Sequence, residues 1–307
     1  MNHRAPFSGV LTAIATPMKA NGKSIDIDYK SFDALVQHQK NNGIHGIVVG
    51  GTTGEGPTLC EGEKKELLKI ALSHQSPEFK IYVGTGSHNT QLTALEAASF
   101  STFQSDGKKV DGVMTVTPYY NKPTQSGLLA HFRVVAEAVG NTPLCLYNVP
   151  GRTSCFLAPS TVLQLAKEFS HICAIKEAAG DVKVIAELAK LFQGFGRRFE
   201  ILSGDDLTFL PALASGATGI ISVSTHVIPK EMIGIYDSFR KGQVTQATQW
   251  HLKCLNINTE LFCAPNPIPL KFVLHSQGRC EPDLRLPLTP LEDHLKPQVK
   301  QAMASMD

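Results

Sequence analysis

A lysine at the end of an apolar run is the first residue whose placement suggests chemistry. Lys176 directly follows Cys173-Ala174-Ile175 and precedes Glu177. Such a lysine either leaves the sheet for solvent or points into a cavity, and on its own the two readings are evenly matched. In the second case burial disfavours an ammonium and frees the amine to attack a carbonyl carbon. The imine so formed is an electron sink that needs no metal and no vitamin-derived cofactor. Tyr147 and Tyr120 stand at or just beyond the ends of other apolar runs. Tyrosines there usually pack with the hydroxyl exposed. Imine formation moves several protons, however, and two phenols with the Thr52 hydroxyl can relay them. In Gly50-Gly51-Thr52-Thr53-Gly54-Glu55 the glycines permit backbone N–H groups to converge on a carboxylate. Arg152 can grip a carboxylate with its planar fork, although a lone arginine more often faces solvent.

These residues need elements to bring them together. Eight short runs begin near Gly9, Gly46, Lys80, Gly112, Pro143, Ile172, Glu200 and Gly219. They are rich in Val and Ile and do not alternate in polarity, as in parallel strands buried on both faces. Between them lie segments of helical period. Leu128, Phe132, Val135, Ala136 and Val139 form one face; Val162, Leu165, Ala166 and Phe169 form another, with Pro159 in its first turn. Asp181 is a candidate cap for a helix carrying Val184, Ile185, Leu188 and Phe192. The short interval between Glu200 and Gly219 leaves room for only a brief helix, near Leu207 to Ala214. Eight such units predict an α/β fold, a (β/α)8 TIM barrel with a C-terminal helical extension. Residues 1–228 are read as the barrel. Residues 229–307 are read as its eighth helix plus two or three appended helices. The competing doubly wound sheet would carry Gly-x-Gly-x-x-Gly after its first strand, which is absent.

Composition narrows the partners. With 42% hydrophobic and 18% charged residues the chain is too apolar for disorder. The net charge is only +2, and basic residues cluster no further than pairs, so no nucleic-acid or membrane surface is expected. No apolar run approaches the ~20 residues of a membrane span, and no apolar leader core is visible between Met1 and Val10. Seven scattered cysteines without Cys-x-x-Cys suit a reducing cytosol, with Cys145 and Cys173 as small buried hydrophobes. The histidines show no metal-ligand spacing, so no metal site is expected.

GGTTGE, VTPYYNKPTQ, LYNVPGRT, AIKEA, SGDD, GIISV and NPIPLK follow in this order. Together they closely resemble the pyruvate-dependent class I aldolase superfamily, and within it the dihydrodipicolinate synthase family, from Gly9 to about Pro290. The resemblance implies a lyase or synthase that joins pyruvate to L-aspartate 4-semialdehyde in lysine and diaminopimelate biosynthesis. It implies Lys176 as the Schiff-base lysine and Tyr147 as general acid/base. Thr52 and Tyr120 would complete the proton relay, with Tyr120 reaching in from a neighbouring subunit. Thr53, Gly51 and Ile221 would hold pyruvate, and Arg152 the carboxylate of the aldehyde. A homotetramer of two tight dimers, without cofactor, is implied. The N-acetylneuraminate lyase branch typically has serine where Thr52 stands and lacks an arginine at 152. The 2-keto-3-deoxygluconate aldolase branch and a non-catalytic ligand-binding barrel are further alternatives. Family members inhibited by lysine bind it through histidine, asparagine and glutamate. Here the matching pocket has Glu61, Lys64, His88 and Leu92, beside Tyr119. Lys64 would repel an ammonium and Leu92 cannot pair with one, so weak or absent lysine feedback is expected.

Overall fold

The Val- and Ile-rich runs become strands covered on both sides. They are β1 (Gly9–Ala13), β2 (Gly46–Val49), β3 (Lys80–Thr85), β4 (Gly112–Val116), β5 (Leu144–Asn148), β6 (Ile172–Glu177), β7 (Glu200–Ser203) and β8 (Gly219–Ser222). In this computed structural model, which describes residues 5–306, all eight pair in parallel. Residues 1–4, where the stretch read as lacking a leader core begins, and residue 307 lie outside the described residues. β1 closes the barrel on β8, with Gly9 opposite Gly219 and Leu11 opposite Ile221.

Strand side chains alternate between the barrel interior and the helix layer. Leu11, Val48, Tyr82, Met114, Cys145, Tyr147, Ala174, Leu202 and Ile221 pack together inside. Ile175 packs in the outer cluster between sheet and helices. By that alternation Lys176 shares the interior face with Ala174, at the strand's C-terminal end, and it is paired across the ladder with Tyr147. Cys145 is fully buried, whereas Cys173 is only half-buried, at a bulge in the β5–β6 register.

The helices that follow are α1 (Tyr29–Asn41), α2 (Glu61–Ser73), α3 (Thr90–Ser101), α4 (Gln125–Ala138), α5 (Pro159–Glu168), α6 (Val182–Phe192), α7 (Phe209–Ala214) and α8 (Pro229–Arg240). The predicted faces are the buried ones: α4 turns Leu128, Phe132, Val135 and Ala136 inward. Asp181 caps α6, accepting from the Lys183 N–H at 2.9 Å. No helix among the described residues is long and apolar enough to cross a membrane.

Three features were not legible beforehand. Residues Met18–Asn21 and Ser24–Ile27 form a hairpin, as do Gln104–Ser105 and Lys108–Lys109. The second turns on Asp106-Gly107, with φ of +50° and +72°, the mirror-image turn that an Asp-Gly pair favours. Beyond α8 there are, among the described residues, four α-helices rather than two or three: α9 (Val244–Lys253), α10 (Leu255–Glu260), α11 (Ile268–Ser276) and α12 (Lys296–Ala304). The stretch from Trp250 to Phe262 is not one helix, because the chain breaks at Cys254, which ends α9 and caps α10.

Candidate active site

At the end of β2 the chain must turn sharply. Gly50 has φ +69° and Glu55 +54°. Gly84 of β3 passes so close that a Cβ there would lie 2.9 Å from the Gly50 carbonyl oxygen, so only glycine fits. The Glu55 N–H donates to the Thr52 carbonyl and the Gly56 N–H to that of Gly51, each at 3.1 Å. The N–H groups of Thr52 and Thr53 have no acceptor among the described residues. Neighbouring free N–H groups in such a turn suit a carboxylate.

Lys176 is 6% exposed, and its Nζ lies 4.5 Å from the centre of the Tyr147 ring. A Cβ at Gly204 would come within 3.0 Å of the Lys176 Cε, so glycine in the Ser203-Gly204 turn keeps that stem's path open. Tyr147, Thr53 and Ile221 are buried and Thr52 is half-buried. Tyr120 stands apart: 85% of it is exposed, its φ is +75°, and among the described residues no hydrogen bond joins it to Thr52 or Tyr147. The three hydroxyls expected to form a relay are therefore not joined within the described residues of one chain. Arg152 is exposed, on a one-turn helix (Pro150–Thr153), and its Nη2 donates to the Asn266 carbonyl at 3.4 Å.

A cavity of about 490 Å³ is lined by Gly51, Thr52, Met114, Tyr147 and Arg152, whereas Lys176, Thr53 and Ile221 are not among its lining residues. Its lining continues to Lys64, Glu96 and Tyr119. Lys64 differs from the sequence expectation. Its ammonium is not free to repel a ligand, because Glu96 holds it at 2.6 Å. Glu96 also accepts the Gly86 N–H at 3.1 Å. Of the other pocket residues, Glu61 is tied outside to Lys65 and Ser99, each at 2.7 Å. His88 is exposed and packs edge-on against Tyr119, and Leu92 is exposed. These three do not line the cavity.

On the outer side of β6, Glu177 is buried. It accepts from the Asn148 side chain at 2.8 Å and from the Ala179 N–H at 2.8 Å. Burial outweighs these bonds and pushes its carboxyl up to about 7. Among the described residues no group of three or more His, Cys, Asp and Glu side chains gathers as a metal site would.

Sequence reasoning missed how the C-terminal segment reaches the mouth. Lys271 of α11 pairs with Glu55 at 2.5 Å, both buried, and donates to the Asp283 carbonyl at 2.7 Å. Burial pulls the Lys271 ammonium below its usual range, against the opposite pull of Glu55. The Arg285 N–H donates to Glu55 at 3.0 Å, and its guanidinium forks onto Glu63 at 2.6 and 2.8 Å. The Asn266 amide donates to the Thr53 hydroxyl oxygen at 2.9 Å. A signal was present: Lys271 lies in an apolar run, Leu270 to Leu274, as Lys176 does.

Comparison with known proteins gives matches over nearly the whole chain. Residues 6–306 match the dihydrodipicolinate synthetase family. The 4-hydroxy-tetrahydrodipicolinate synthase of Geotalea uraniireducens is 41% identical over 287 residues, which span 94% of each chain. The crystal structure of dihydrodipicolinate synthase from Thermotoga maritima superposes with a TM-score of 0.92 at 33% identity, covering 98% of this chain and 99% of that one. The dihydrodipicolinate synthase from Acinetobacter baumannii, solved with pyruvate, gives 0.88 at 36% identity over 97% and 98%.

Proposed function

Because the chain belongs to the dihydrodipicolinate synthetase family, we propose a residue-level account of how its barrel mouth performs the family's reaction. The enzyme is a lyase that condenses pyruvate with L-aspartate 4-semialdehyde to 4-hydroxy-tetrahydrodipicolinate, a step of lysine and diaminopimelate biosynthesis. The observation that carries the account is the state of Lys176. Among the described residues three lysines are buried, and two of them have a carboxylate at 2.6 and 2.5 Å. Lys176 alone has none among the described residues and lies instead over the Tyr147 ring.

In this account the Lys176 amine attacks the keto carbon of pyruvate, and water leaves as the C=N bond forms. Loss of a methyl proton gives the enamine. Its carbon adds to the aldehyde carbon, and the aldehyde oxygen takes a proton. The amine of the second substrate then attacks the imine carbon, closes the ring and expels Lys176. Tyr147 and Thr52 move protons with Tyr120, which a neighbouring subunit supplies. The exposed Tyr120, Leu92 and Leu95 support such a neighbour in a homotetramer of two dimers. The free N–H groups at Thr52 and Thr53, with Gly51 and Ile221, hold pyruvate; Arg152 takes the aldehyde's carboxylate. The barrel, residues 1–228, does the chemistry, while residues 229–307 brace its mouth. The reaction needs no cofactor and takes place in the cytoplasm. Lysine inhibits weakly or not at all, because Lys64 and Glu96 already satisfy each other where an effector ammonium would lie.

Incubation with pyruvate and borohydride tests the account. A stable pyruvate-derived mass is expected on Lys176, and no adduct, or one on another residue, would defeat it. Turnover of the semialdehyde should also exceed that of N-acetylneuraminate or 2-keto-3-deoxygluconate.

A further inference from the structure

Asn266 touches both substrate grips at once. Its backbone carbonyl accepts from Arg152 at 3.4 Å, and its side-chain amide donates to the Thr53 Oγ1 at 2.9 Å. Asn266 and Thr53 are both buried, so water cannot substitute for either partner. The Asn266 Oδ1 has no hydrogen-bond partner among the described residues, so the side chain is held by its N–H arm.

The direction of that bond has a consequence. A hydroxyl carries one proton and two lone pairs. When Asn266 donates into one lone pair, Thr53 keeps its proton to give elsewhere. A carboxylate needs such donors and offers none. We propose that Asn266 is a positioning residue that fixes the donor direction of Thr53, so that the Thr53 hydroxyl gives its proton to the pyruvate carboxylate. The inference rests on the reading of Thr53 as a pyruvate contact. The C-terminal segment thus sets the polarity of a hydrogen bond at the end of β2.

Asn266→Asp is the most telling change because it keeps the shape and reverses the bond. Thr53 would then donate to the new carboxylate and lose its proton for pyruvate. The readout is the pyruvate concentration that half-saturates borohydride trapping at Lys176. It should rise about 10-fold or more, the scale of one lost hydrogen bond to a charged group. In a Thr53→Val background, which has no hydroxyl to reverse, the same change should cost less than about 2-fold. A simple repulsion between the new carboxylate and pyruvate would persist in that background and would overturn the inference. Unchanged half-saturation in Asn266→Asp alone would also overturn it. If that variant fails to fold, Asn266→Leu is read in both backgrounds. It must raise half-saturation with Thr53 present and not with Val; any other pattern counts against the inference. Wild-type protein that forms no adduct at Lys176 would defeat the proposed function itself. A normal wild-type adduct with indifferent Asn266 variants defeats only this inference.

Discussion

Lys176 in the barrel mouth and Lys271 in the C-terminal segment sit in similar sequence settings and end with different partners. Both follow apolar residues, and both are buried, 6% and 0% exposed. Lys271 is given Glu55 at 2.5 Å and a backbone carbonyl. Lys176 is given an aromatic face and, among the described residues, no carboxylate. Burying a charge is costly unless it is paired. The fold therefore builds a counter-charge in beside Lys271 and, among the described residues, places none beside Lys176. Lys64, paired with Glu96 at 2.6 Å, lies between the two cases because the Glu96 side chain is 27% exposed.

The largest test of this contrast is Lys176→Met. Catalysis should fall by at least about 10^4-fold, as expected when a nucleophile is removed, with little change in thermal stability. A large loss of stability would mean that Lys176 is a structural cation after all. Lys271→Met should show the reverse pattern. It strands the Glu55 carboxylate in the interior and should destabilise the fold by about 3–5 kcal/mol in denaturant titration. Adding Glu55→Gln should recover much of that loss; additive damage would show that the pair is not the cause.

Glu177 extends the comparison to an acid. It is buried on the outer side of β6 without a cation, and its carboxyl is raised from 4.5 to about 7. The native state then holds a proton that the unfolded chain has released. Its contribution is full below about pH 4.5 and is lost as pH rises through 7. Relative to Glu177→Gln, the wild type should lose on the order of 3 kcal/mol across that window. A pH-independent difference between the two would mean that Glu177 holds no extra proton in the native state. The smallest effect is expected for Lys64→Met, about 1–2 kcal/mol, because Glu96 can rehydrate. A cost equal to that of Lys271→Met would mean that partial exposure does not soften the penalty.

Much of this was legible in the residues. The eight strands and their helices announced themselves by period, because a closed parallel barrel needs apolar strands and one-faced helices. Lys176 and Ile221 come against Tyr147, and Tyr147 and Thr52 line one cavity, because strand ends converge at the mouth. Tyr120 was legible as a residue type, but it is exposed and stands apart from Thr52 and Tyr147. The Asp106-Gly107 hairpin and the break at Cys254 escaped notice because each depends on a few residues rather than on a period.

The order of apolar runs, turns and reactive side chains was the sequence's own determination, because hydrophobic periodicity is local and strand ends follow from it. Which buried lysine receives a counter-charge was decided only by tertiary structure. Glu55 and Lys271 are more than 200 residues apart, as are Thr53 and Asn266. Local pattern carries no information about such pairs. Chain closure brings them together, and with them the carboxylates that pair Lys64 and Lys271, because a buried charge is costly without a partner.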